Sequence, residues 1–149
     1  MTEAPVRVLF VSTGGAARAI LAEALLRRIG SPEFEAFSAG IEPEPVHPMT
    51  LRILDDAGLD RSWAVSRSVS DFQGQPFDYV ITLCDDARLV CPVFPGADQS
   101  IHWGYKGLGG LDGTEEDRRA AFERVFTLLS ERIRQFVLIA GKPRAVATG

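Results

Sequence analysis

The stretch VLFVSTGGAARAILAEALLRR, Val8 to Arg28, divides into three parts. An apolar run ends at Ser12, a short glycine-containing turn follows, and an amphipathic segment begins around Arg18. Val6–Val11 is continuous apolar sequence apart from Arg7, the pattern of a parallel strand buried on both faces. From Ala17 to Ile29 the apolar positions Ile20, Leu21, Ala24 and Leu25 recur at helical spacing. Between the two, Gly14 and Gly15 permit positive φ, so consecutive N–H groups can turn inward as a nest. The helix start adds uncommitted N–H donors and the positive end of its dipole. Arg18 adds a planar fork suited to bidentate contact with phosphate, sulfate or arsenate. The turn therefore defines a candidate oxyanion-binding set: Ser12, Thr13, Gly14, Gly15, Ala16, Ala17 and Arg18. It lacks the Gly-Lys-Ser/Thr ending of a nucleotide P-loop, and its glycines are misspaced for a dinucleotide fold. The competing reading is a plain strand-to-helix turn with Arg18 on the surface.

Working outward, Phe34–Gly40 (FEAFSAG) reads as a second strand. Pro48 suits the first position of a helix ending at Gly58. Phe77–Cys84 (FDYVITLC) reads as a third buried strand and Gln99–Trp103 as a short fourth. Thr114 and Asp117 form a capping pattern ahead of a long helix whose apolar face carries Phe122, Val125, Leu129, Ile133 and Phe136. That helix is expected to end near Ile139. The expectation is one α/β domain over residues 1–149, with a core of about 6–139 and a flexible tail over 140–149. Strands alternating with helices imply a three-layer αβα arrangement on a four-stranded parallel sheet. Ligands of such sheets bind at the carboxyl ends of the strands, where both Ser12 and Cys84 fall.

Composition narrows the partners. A net charge of −4 on 149 residues argues against nucleic acid and anionic membrane. No apolar run approaches the length of a membrane span, and the amino terminus does not read as an export signal, which points to the cytoplasm. Two cysteines, Cys84 and Cys91, do not make a disulfide scaffold. His47 and His102 read as structural, and no clustered ligand set implies a metal or cofactor.

The loop resembles that of low-molecular-weight protein tyrosine phosphatases and thioredoxin-coupled arsenate reductases: a cysteine, five residues, an arginine, then Ser or Thr. The likeness extends over roughly Val6 to Phe136 and includes FSAG at 37–40, FDYVITLCDDARLVCPVFPG at 77–96 and HWG at 102–104. Cys84, six residues, Cys91 and Pro92 resembles the reductase branch specifically. The resemblance implies a first thiolate that attacks arsenate, a second thiol at Cys84 that releases arsenite, and a third at Cys91 that passes the disulfide to thioredoxin.

The departures are as informative. The nucleophile position is Ser12, the loop-orienting asparagine is matched by Gly15, and the hydroxyl residue after the arginine by Ala19. Gly107 falls near the expected general acid, and Asp112 lies several residues late. A serine hydroxyl is far less acidic than a thiol and cannot form the disulfide that carries the electrons. The cage and Arg18 do not depend on that thiolate. The sequence thus reads as an arsenate reductase-like, phosphatase-like pseudoenzyme that binds an oxyanion. Expected partners are phosphate, sulfate or arsenate, with thioredoxin or a phosphorylated protein beyond them. The alternative is a working reductase or phosphatase carrying a cysteine-to-serine change. Cys84 and Cys91 read equally as inert residues or as a residual dithiol switch, with Asp85 and Asp86 tending to raise the thiol pKa.

Overall fold

A computed structural model of the chain describes residues 5–12, 17–83, 99–103 and 113–147, with Gln99 and 141–147 described as backbone alone. Strand β1 (Val6–Ser12) is followed by helix α1 (Arg18–Gly30), β2 (Phe34–Gly40), helix α2 (Pro48–Asp56), a 3-10 turn (Val69–Phe72), β3 (Tyr79–Thr82), β4 (Gln99–His102) and helix α3 (Glu115–Ala147). The strands form one parallel sheet in the order β2-β1-β3-β4. β1 pairs with β2 from Val6↔Phe34 to Ser12↔Gly40 and with β3 from Val8↔Tyr79 to Val11↔Thr82.

β1 is paired on both edges and covered on both faces, and Val8, Leu9, Phe10 and Val11 are all fully buried. Alternation divides its side chains between two cores. Val6, Val8 and Phe10 pack with α1, α2 and α3 on one face of the sheet. Leu9 and Val11 join Ala39, Val69, Phe72, Phe77 and Val80 on the other, beneath the 3-10 turn. Phe37, Phe72 and Phe77 meet edge to face there, with ring centroids 5.6–6.0 Å apart. The Arg7 guanidinium closes that core at the amino edge of the sheet, 4.7 Å from the Phe37 ring centroid and 4.9 Å from that of Phe77.

Local chemistry sets the helix starts. His47 caps α2 by accepting the Met49 N–H at Nδ1 (3.0 Å), with Pro48 in the first turn. Thr114 and Asp117 cap α3 reciprocally: Thr114 Oγ1 accepts the Asp117 N–H at 3.1 Å, and Asp117 Oδ2 accepts the Thr114 N–H at 3.0 Å.

The α/β class, the parallel four-stranded sheet and the bounds of β2 agree with the sequence reading. Three details differ. β3 is confined to Tyr79–Thr82, because Phe77 turns into the second core before the ladder begins. The 3-10 turn was not anticipated; Ser68 and Asp71 cap it across too few residues to show helical periodicity. The backbone of α3 is helical to Ala147, past the expected end near Ile139.

Leu128 and Leu129 are neighbours on α3, yet Leu129 is fully buried while Leu128 is 44% exposed. Leu129→Ala is expected to cost about 2–5 kcal/mol in urea unfolding, and Leu128→Ala less than about 0.5 kcal/mol.

Candidate functional site

The sheet order places a topological switch between β1 and β3: the chain leaves β1 toward β2 on one side and returns to β3 on the other. In open parallel sheets this leaves a crevice at the carboxyl ends of the two central strands. Ser12 is the last residue of β1 and sits in that position. Its Cα pairs with Gly40, its carbonyl accepts the Ile41 N–H at 3.1 Å, and its side chain is buried.

Helix α1 begins five residues past Ser12's neighbour Thr13, at Arg18, which is also buried at 8% exposure. The residue before it, Ala17, has no side-chain cap to offer the first turn, and that turn contains no acidic residue. Ala17's carbonyl accepts the Leu21 N–H at 2.9 Å, so the helix is wound from its first residue. Among the described residues, no carboxylate or hydroxyl caps the positive end of this 13-residue helix. The structure brings Ser12, Ala17 and Arg18 to one end of the sheet. Thr13, Gly14, Gly15 and Ala16 lie outside the described residues, as do Cys84, Cys91, Asp85, Asp86, Gly107 and Asp112.

The wall beyond β1 is polar. Thr82 at the end of β3 places Oγ1 2.8 Å from Nδ1 of His102 at the end of β4, and the Trp103 N–H donates to the Thr82 carbonyl at 2.8 Å. On the opposite side the Gly40 N–H donates to the Arg67 carbonyl at 2.7 Å, and Ser68 forms a parallel bridge with Gly40. The 67–68 segment therefore extends the carboxyl edge of the sheet past β2.

One charged residue was missed by the sequence reading. Glu23 lies on the inner side of α1 at 1% exposure. Its Oε1 accepts the Ser38 hydroxyl at 2.6 Å, and its Oε2 accepts Arg27 Nε at 2.8 Å and pairs with the same guanidinium at 2.7 Å. The Arg27 guanidinium lies 4.4 Å from the centroid of Trp63. The signal was present: an acidic residue between Ala22 and Ala24, within a turn of Ile20 and Leu26, can avoid the core only with difficulty. Burial pushes the Glu23 carboxyl above its ordinary range, against the downward pull of Ser38, Arg27 and Arg67.

The sequence profile of low molecular weight phosphotyrosine protein phosphatases matches residues 7–146. The chain belongs to this family. It is 33% identical over 129 residues to an arsenate reductase of Halalkalibacterium halodurans, an alignment covering 87% of this chain and 93% of that protein. Among solved structures it resembles an arsenate reductase from Archaeoglobus fulgidus, with a TM-score of 0.71 and 28% identity over 87% of this chain and 98% of that one. It also resembles a thioredoxin-dependent arsenate reductase of Corynebacterium glutamicum, with a TM-score of 0.71 and 30% identity over 93% of this chain and 65% of the other. Among the described residues, no helix is long and apolar enough to cross a membrane.

Glu23 carries a pH dependence with a definite sign. Its carboxyl titrates near the ordinary 4.5 in the unfolded chain and higher in the fold, so the native state binds more protons between the two values. Stability therefore falls as pH rises through that interval. Glu23→Gln removes this contribution, and urea midpoints collected from about pH 4 to 8 should fall less steeply for the variant than for the parent chain.

Proposed function

We propose that this member of the family binds a tetrahedral oxyanion at the end of β1 and does not turn it over. The observation that carries the reading is Ser12. A hydroxyl stands buried at the head of the loop, where the family resemblance calls for a thiol, while α1 behind it keeps an uncapped start and a buried Arg18. The family resemblance implies further oxyanion contacts from the backbone of residues 13–17.

The chemistry separates binding from catalysis. Backbone N–H groups, a helix dipole and a guanidinium attract an anion whatever residue stands at position 12. A neutral hydroxyl in place of a thiolate removes a like charge facing the ligand, which favours occupancy. Turnover needs more. The reductase relay requires a sulfur that can be released as a disulfide with Cys84, and a serine oxygen cannot form that bond. A serine hydroxyl is also a far weaker nucleophile than a thiolate unless a base activates it. Gly15, Ala19 and Gly107 remove the side chains that the family uses to orient the loop, lower the thiol pKa and protonate a leaving group.

The ligands this site suits are phosphate, sulfate and arsenate, or the phosphoryl group of a modified protein. Thioredoxin is a partner only in so far as Cys84 and Cys91 act as a dithiol. The role is that of a cytoplasmic binding or regulatory protein.

Titration calorimetry with phosphate and arsenate should give a saturable signal at millimolar or lower concentration. Absence of binding there would overturn the reading. Arg18→Ala should weaken affinity roughly tenfold or more, the effect of deleting one charge-assisted contact. The rival reading, a reductase whose cysteine has been exchanged, is tested by Ser12→Cys. On the present reading that variant, given thioredoxin and its reductase, forms no arsenite, because three further loop and acid positions depart from the family pattern. Thioredoxin-dependent arsenite release would establish the rival.

A further inference from the structure

A further arginine has its backbone near the end of β1, and the reading above does not use it. Arg67 lies on the segment that prolongs the sheet at its carboxyl edge, where the Gly40 N–H donates to its carbonyl at 2.7 Å and Ser68 bridges to Gly40. Gly40 is in turn the register partner of Ser12. Three backbone segments therefore run side by side at this edge: the end of β1, the end of β2 and residues 67–68. Adjacent segments in a sheet lie just under 5 Å apart, so Ser68 stands about 10 Å from Ser12.

The Arg67 side chain is exposed, and no hydrogen bond or ion pair joins it to another described residue. This sets it apart from most arginines nearby. Arg27 is taken up by Glu23, and Arg61 pairs with Asp55 at 3.1 Å.

We propose that Arg67 is a specificity-determining residue of the oxyanion site, and that it selects a phosphorylated residue followed by an acidic side chain in an extended peptide. The proposal rests on the oxyanion reading of Ser12 and Arg18. Geometry chooses the ligand class. An extended chain advances about 3.3 Å per residue, so a carboxylate two or three residues beyond the phosphorylated one spans the interval from the end of β1 to the 67–68 segment. The two groups of a diphosphate share a bridging oxygen and lie too close together. Nucleic acid would meet a protein of net charge −4 with one isolated guanidinium instead of a basic stripe.

The experiment compares three probes by calorimetry: inorganic phosphate, a phosphotyrosine peptide with glutamates at the second and third following positions, and the same peptide with glutamines there. The parent chain is expected to prefer the glutamate peptide about three- to fivefold, the size of an exposed charge pair. Arg67→Ala should abolish that preference and leave phosphate affinity within twofold. Arg67→Glu should reverse it in favour of the glutamine peptide. Because Arg67 uses its backbone to join the sheet edge, neither substitution removes that bond, and an unchanged urea midpoint verifies the fold. Equal affinity for both peptides in the parent chain, or a preference that survives Arg67→Ala, would overturn the Arg67 proposal while phosphate binding upholds the underlying site. Failure of all three probes to bind would overturn both.

Discussion

Strand β1 has no free edge and no free face. β2 and β3 take its hydrogen bonds on either side, and two apolar cores take its side chains. Parallel strands buried this way gain their stability from branched and aromatic residues on both faces, which is why Val8, Leu9, Phe10 and Val11 follow one another without a polar break. The constraint has a chemical consequence. A strand sealed along its length can expose its backbone and side chains to a ligand only at its end, and here that end is Ser12. Everything read as functional in this chain follows from where β1 stops and how α1 starts.

The start of α1 is built by omission. Helices α2 and α3 close their first turns with His47 and with the Thr114–Asp117 pair. α1 has alanine at the cap and no carboxylate behind it. Were stability the sole requirement, a Ser, Thr or Asp at position 17 would improve the helix by about 1 kcal/mol. The proposed oxyanion site draws on that start and on the buried Arg18 beside it. The arsenate reductase from Archaeoglobus fulgidus that this chain resembles shares its fold over most of its length.

The proposed function separates two demands on the end of β1. The reductase relay asks one position to be both nucleophile and electron carrier, and a serine oxygen cannot form the disulfide that carries the electrons. Anion binding asks for N–H donors and a positive charge, which do not come from the side chain at position 12.

Most of the architecture was legible in the order of the residues. Unbroken apolar runs identified β1 and β3, alternation identified β2, helical spacing identified α1, Pro48 and Gly58 bounded α2, and a capping pattern with helical spacing identified α3, because these signals arise within one element. The glycine turn between strand and helix, the Arg18 fork and the resemblance of the loop marked Ser12 and Arg18. What lay beyond that reading needed distant segments to meet. Glu23 became a buried ion pair only when β2 brought Ser38 and the helix itself brought Arg27 to its carboxylate. Thr82 and His102 became partners only through the pairing of β3 with β4. Arg67, an ordinary exposed arginine in sequence, acquired a place beside Ser12 only because its backbone joined the sheet edge at Gly40. Local pattern encodes which faces are apolar; it does not encode which remote polar groups will share the space between them, and that choice belongs to the sheet order.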